Sequence, residues 1–304
     1  MPEKNQVNLK HKDRLFRFIF KDKKDLLSLY NAINDSNYTD ENALIVNTME
    51  NVIYMSMQND LSFLIYGMLN IYEHQSSWNP NMPLRDFLYT AEVLKGYLAE
   101  HDYDIYGSRL VPIPTPQSVV FYNGTKDEPE RQTLKLSTSF QSKEKKGCME
   151  YECLVLNINY GKNQELMEKC KPLMDYSILI AKIRCYEKRV KSIKQAVNLA
   201  IDDCIKEGVM SDFLKRNRGE VSDMILTEYD EQKHIENEKK WSFEEGERIG
   251  RKAGERLGRE TGKNLVNELN QRLIEDGRME DLKRACQETE YQKELLKEYG
   301  FNEE

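Results

Sequence analysis

Nowhere in the 304 residues is there a run of about 18 or more apolar side chains, the length a membrane-spanning helix needs. The opening stretch MPEKNQVNLKHKD also lacks the apolar centre of a secretory signal, so a cytoplasmic protein with no membrane partner is expected. Histidine is scarce: His11, His74, His101 and His234 stand in no recognisable metal spacing. The six cysteines form no CxxC pair and have no histidine at zinc spacing, which favours reduced thiols over disulfides or zinc. GxSxG and Walker A sequences are absent as well, removing the commonest serine-hydrolase and phosphate-loop readings.

The most informative absence is local. From Asn31 to Pro80 there is no Lys or Arg, yet Asp35, Asp40, Glu41, Glu50, Asp60 and Glu73 all fall there. A buried carboxylate must be paired, protonated or bound to a cation, because desolvating it alone costs roughly several kcal/mol. With no basic side chain nearby in sequence, a divalent metal becomes the natural counter-charge, and oxygen ligands suit Mg²⁺ first, with Mn²⁺ or Ca²⁺ as alternatives.

These acids surround an apolar hairpin pattern. DLSFLIY is broken at Gly67 and continues as MLNIYEHQ. Alternation puts Leu69, Ile71, Glu73 and Gln75 on one face of a strand and Asn70, Tyr72 and His74 on the other. Glu73 then ends a core face or closes the strand at a solvated tip.

Charged residues make up 32% of the chain and apolar ones 39%, with a net charge of −7, as in a globular protein with a polar helical extension. Bulk charge does not advertise nucleic-acid binding, but a local basic rim is enough for it. Residues 1–24 supply one, with eight basic side chains against three acids.

Along the chain, LFRFIF and DLLSLYNAIN have helical spacing, with a break near Lys23 and Asp22 or Asp25 as cap. NVIYMSMQ (residues 51–58) reads as the first strand of a meander. NPNMPLRDFLYTAEVLKGYLAEH starts a helix near Pro83 and sets Leu84, Phe87, Leu88, Ala91, Leu94 and Leu98 on one face. SVVFY, TLKLS and ECLVLNINY are the remaining strands. The order is helix, three-strand meander, helix, strand, an α/β class with a long helical C-terminal extension.

That order, with the phrases KDRLFRFIF, NDLSFLI, LNIYEHQSSWNPNMPLR and VVFYNGT, resembles the recombination-promoting nuclease and transposase family of the PD-(D/E)XK nuclease superfamily. The resemblance covers residues 10 to 160 well. It implies a restriction-endonuclease-like core and metal-dependent hydrolysis of DNA phosphodiester bonds, associated with recombination or mobile elements. It also implies the site. Asp60 and Glu73 hold the metal, His74 contributes its backbone carbonyl rather than its ring, and Asp13 reaches the metal through water. Gln75 stands where the superfamily commonly has lysine. A glutamine can orient water but supplies no positive charge, so metal electrostatics carry more of the transition state and slow hydrolysis is one expectation. Lys12, Arg14 and Arg17 on the first helix and Arg85 on the next are candidate clamps on the DNA backbone, against the alternative of ordinary solvated helix charge. Trp78 stacks on a base or, the favoured reading, closes the core.

Residues 161–240 read as helices, with Pro172 near a first turn or at a kink and Gly208 as a stop. Beyond them Gly246, Gly250, Gly254, Gly258 and Gly262 recur every fourth residue among charged neighbours, ahead of a small helical tail around Asp276-Gly277. The expected organisation is a core over 1–160, a helical region over 161–240, and a tether with tail over 241–304. Glycine weakens a helix by about 1 kcal/mol each, and Ile249 and Leu257 are too little apolar surface to drive pairing. The tract is therefore expected to be a tether, with any homo-oligomer built elsewhere. Beside the nuclease stands a second expectation, a catalytically weak or inactive nuclease-fold protein that binds DNA or another protein.

Overall fold

The structure, a computed structural model, describes residues 14–46, 61–142 and 147–301. It divides into two compact units, Met1–Glu231 and Gln232–Glu304. The first is α/β, built on a mixed six-stranded sheet of order β1-β2-β3-β4-β6-β5.

Chain order explains the sheet. Helices α1 (Arg14–Ile19) and α2 (Lys23–Asn34) come first, and Asp22 caps α2 by accepting from the Lys24 N–H at 2.9 Å. Strands β1 (Ile45–Val46), β2 (Leu61–Ile65) and β3 (Met68–Gln75) run antiparallel in succession. Tyr66 and Gly67 join β2 to β3 with positive φ values of 45° and 80°, the pairing that tight hairpins require. The strand expected at NVIYMSMQ lies outside the described residues. Helix α3 (Met82–Glu100) then crosses to β4 (Thr115–Tyr122), which lies parallel to β3. Strand β5 (Arg131–Lys135) pairs antiparallel with β6 (Glu152–Asn157), itself parallel to β4.

The two faces of the sheet bury different things. One carries Phe63, Tyr72, Val119, Phe121 and Leu156 against α1, α2 and the later helices α4 (Gln164–Lys169), α5 (Lys171–Glu187) and α6 (Ile193–Glu207). Pro172 sits in the first turn of α5, and Gly208 ends α6 in the left-handed region. Helix α7 (Ser211–Glu275) contributes Leu214, Val221 and Ile225 to the same core. Each such fully buried side chain is worth roughly 1.5–3 kcal/mol, so this face is the main source of cohesion.

The other face packs on α3, and here the expected helix face is corrected. Leu84 and Leu88 are 43% and 37% exposed, while Met82, Asp86, Tyr89, Thr90 and Val93 are buried. Leu94 of the expected face does pack with Val93 on Leu69 and Ile71, but Leu84 and Leu88 turn outward because the first half of the helix meets polar partners: Ser118 and Cys153 to Asp86, and Tyr151, whose hydroxyl lies 2.7 Å from that of Thr90.

In the second unit, Leu269 and Leu273 of α7 form a small core with α8 (Met279–Ala285) and α9 (Thr289–Glu298) through Ala285 and Leu295. Arg278 ties it together by bonding Asp281 and Glu298, both at 2.6 Å. From Gly246 to Gly262 every residue of α7 is exposed, and a Cβ added at any of the five glycines would meet nothing within 4 Å. All six cysteines are free. Among the described residues no helix is long and apolar enough to cross a membrane.

Candidate functional site

Strand β3 places the central residues. Glu73 is 3% exposed and sits on the α3 face, level with Val120 of β4; Gln75 follows on the same face, half-buried and level with Tyr122. His74 points the other way. Its ring is fully buried, stacks on Phe16 of α1 at 5.1 Å, and has Nε2 2.8 Å from the Tyr176 hydroxyl. The imidazole is thus built into the opposite core and cannot reach the Glu73 carboxylate, leaving only its backbone for the expected role.

The strand end is fixed by backbone bonds. The Asn123 N–H donates to the Gln75 carbonyl at 3.0 Å, and a Cβ at Gly124 would collide with the Tyr122 hydroxyl and the Ser76 carbonyl. The Asn123-Gly124 turn therefore needs glycine for close approach. Trp78 packs edge-on to Tyr122 at 6.0 Å and closes that corner of the core.

The counter-charge to Glu73 comes from α3. Arg85 Nη2 lies 4.0 Å from Glu73 Oε2, with the arginine side chain 32% exposed and the glutamate 4%. This corrects the argument from local sequence: a cation is absent within Asn31–Pro80 but present through space. At an effective dielectric of about 20 such a contact is worth on the order of 4 kcal/mol, comparable to the cost of burying one carboxylate. Burial works against the charge on Arg85, but Glu73, Tyr89 and Asp86 outweigh it and hold the guanidinium protonated. Burial, then the Glu73 carboxylate, push the Tyr89 hydroxyl well above its usual range.

Behind Arg85 lies a carboxyl that the sequence argument missed. Asp86 is fully buried; Ser118 Oγ donates to its Oδ2 at 2.5 Å and Cys153 Sγ at 3.3 Å, while Oδ1 has no hydrogen-bond partner. Desolvation raises its pKa to about 6, against the opposing pull of Ser118, Cys153 and Arg85. The signal available in sequence was spacing: Met82, Asp86, Tyr89 and Val93 recur at three and four residues, a helical face that includes an acid.

Of the other expected site residues, Lys12, Asp13 and Asp60 lie outside the described residues. Arg14 is half-buried and Arg17 exposed on α1, which packs on the His74 side of the sheet, opposite Glu73. The site thus brings together Glu73, Gln75 and Arg85 and leaves Arg14 and Arg17 on the other layer. Among the described residues no group of three or more His, Cys, Asp or Glu side chains is arranged to hold a metal ion.

No protein-family model, curated protein or solved structure matches this chain.

Proposed function

We propose that the sheet-bearing unit is a divalent-metal-dependent DNA endonuclease of the PD-(D/E)XK kind, associated with recombination or mobile elements. The observation that carries the reading is a buried carboxylate, Glu73, followed on the same face by Gln75 at the carboxyl end of β3. Around it the chain order of antiparallel strands, crossing helix and parallel strand agrees with the core that the resemblance implies.

The residues fit a hard cation in kind: the Glu73 carboxylate and the Gln75 amide are oxygen donors suited to Mg²⁺. The second carboxylate of the reading, Asp60, precedes Leu61, whose ladder partner Tyr72 is the neighbour of Glu73. A bound divalent ion would polarise the scissile phosphate and lower the pKa of a water bound to it. The protein's own part is positional. Asp60 and Glu73 would hold the cation, Gln75 would orient the attacking water, and Arg85, a third exposed at the rim, would take a phosphate oxygen. With glutamine in place of lysine no residue on the strand adds positive charge, so Arg85 is the described cation best placed to share that load.

One observation favours a second reading. Arg85 already neutralises Glu73, as it would in a nuclease-fold protein that has given up metal and kept DNA or a protein partner. Plasmid nicking separates the two. The purified protein with Mg²⁺, Mn²⁺ or Ca²⁺ is expected to convert supercoiled DNA to open circles, and Asp60→Ala and Glu73→Gln to lose at least roughly a hundredfold in rate. DNA that is bound but left intact under every metal would establish the binding module.

A further inference from the structure

The carboxyl ends of β4 and β6 open on a second feature, on the opposite side of the sheet from Glu73. A cavity of about 350 Å³ lies between these strand ends and α5, walled by Asn123, Asn159, Tyr160, Tyr176, Arg184 and Lys188 among others. Its volume falls within the roughly 300–1,000 Å³ of small-ligand sites. In open α/β sheets, the carboxyl ends of parallel strands are where ligands collect.

Its chemistry is one-signed. Arg184 and Lys188 line it and no carboxylate does. Arg184 Nη1 donates to Asn159 Oδ1 at 2.6 Å and Nη2 donates to the Asn123 carbonyl, so the guanidinium is held in place by neutral acceptors that leave its charge intact. Among the described residues neither Arg184 nor Lys188 forms an ion pair, whereas the lysines of α5 at 171 and 182 both do. Lys188 follows Arg184 by one helical turn and therefore shares its face. Tyr160 stands 69% exposed at the wall and offers a flat ring to a ligand. Asn123 Oδ1 and Ser177 Oγ are also in the wall without hydrogen-bond partners, but they are too deeply enclosed to meet a ligand.

We propose that this cavity binds a nucleoside monophosphate unit of a DNA strand, its phosphate on Arg184 and Lys188 and its base on Tyr160. Arginine and lysine on one helical face with an aromatic ring beside them match a phosphate and a base-sized π-surface. The cavity is joined to the Glu73 strand through two bonded routes. Asn123 donates its backbone N–H to Gln75, and its side-chain Nδ2 to the Tyr176 hydroxyl, which in turn meets His74. A strand crossing the carboxyl edge of the sheet would thus be gripped on one face and presented to Glu73 on the other. The choice of a DNA strand over a free mononucleotide rests on the nuclease reading.

The test uses the full chain in EDTA, so that no cleavage intervenes. Binding of a fluorescent single-stranded DNA 12-mer and of free 5′-deoxynucleoside monophosphate is measured for the wild type, Lys188→Gln and Tyr160→Ala. Both variants alter exposed side chains and leave the Arg184 contacts in place. The expected result is 12-mer binding weakened roughly tenfold in each variant. In Lys188→Gln the slope of log K against log salt should also become shallower by about 0.7, the signature of one lost phosphate contact on a single strand. Saturable mononucleotide binding lost in the same variants would support the cavity and identify it as a product site. Wild-type affinity and salt slope in both variants, or no binding of either ligand by the wild type, would overturn the proposal. Plasmid nicking is scored separately: Lys188-sensitive binding without nicking removes the nuclease and keeps the cavity, and nicking with insensitive binding does the reverse.

Discussion

Asp86→Asn should make the protein more stable at neutral pH and lose that advantage in acid. The carboxyl of Asp86 is fully buried and its pKa is raised to about 6. A carboxyl raised in the folded state binds its proton more tightly there than in the unfolded chain. Its contribution is therefore fully present below the ordinary aspartate pKa, about 3.9, and is lost as the pH climbs through about 6. The gap of roughly two units corresponds to about 3 kcal/mol at pH 7.5. Asparagine keeps the acceptor for Ser118 and carries no charge to desolvate. It sets an N–H where Oδ1 now has no partner, however, and a buried unsatisfied donor costs roughly 1–3 kcal/mol.

The wild-type penalty is about 3 kcal/mol at pH 7.5 and about 1 kcal/mol at pH 4.5. With an asparagine cost of about 2 kcal/mol, the variant is expected to be more stable than wild type by about 1 kcal/mol at pH 7.5 and less stable by about 1 kcal/mol at pH 4.5. Urea unfolding at several pH values measures this. Half-buried Trp78 reports on the sheet-bearing unit, and Trp241, already 63% exposed, adds little signal change. Subtracting the two proteins at each pH cancels every other titrating group they share. A stability difference that does not move between pH 4.5 and 7.5 would refute the buried-carboxyl argument, whatever its sign.

Three further outcomes are expected. Gln75→Ala should slow plasmid nicking at least roughly tenfold with DNA affinity nearly intact, and Gln75→Lys should restore or exceed wild-type cleavage; unchanged cleavage in both removes Gln75 from the mechanism. Arg85→Gln should bind Mn²⁺ more tightly in calorimetry without DNA, by roughly tenfold, because it deletes the charge that competes at Glu73. Equal Mn²⁺ affinity in the two proteins would count against Glu73 as a ligand. Replacing the five glycines from Gly246 to Gly262 with alanine should raise helicity, each substitution favouring helix by about 1 kcal/mol, and leave the mass by light scattering unchanged. A changed oligomeric state would end the tether reading.

What could be read from the chain depended on whether its cause was local. The Tyr66-Gly67 hairpin and the Gly208 stop depend on backbone conformations that a few neighbouring residues decide and lie where the sequence put them, and of the alternatives left open the structure takes Asp22 over Asp25 as the cap and a first turn over a kink at Pro172. The alternation of β3 was equally local, so Glu73 and His74 separate onto opposite faces as expected. The rotation of α3 was not. Counting leucines assumes that the buried side of a helix is the apolar one, whereas here Asp86 meets Ser118 and Cys153, and Thr90 meets Tyr151, from positions up to 67 residues distant. The cation beside Glu73 was not local either: a stretch without basic residues says nothing about the charge that another element brings across, here Arg85 from α3.

The geometry around Glu73 also shows why the two functional readings differ less in structure than in response. An arginine that served only to neutralise a buried glutamate would be expected to close on it through two short parallel bonds, the favoured Arg–carboxylate fork. Arg85 instead approaches through one nitrogen at 4.0 Å, places Nη1 3.4 Å from Met82 Sδ, and stays a third exposed at the rim. That position gives it a short path outward. Under the nuclease reading, a single outward swing of Arg85 would free the Glu73 carboxylate to hold a cation and would place the guanidinium against a DNA phosphate. In a binding module the same swing would take the guanidinium charge away from a buried carboxylate with no cation arriving to replace it, at a cost of several kcal/mol on the order-of-magnitude scale. Arg85 should then stay on Glu73 whatever metal is added. The response of this one side chain to metal is the physical quantity on which the choice between enzyme and binding module turns.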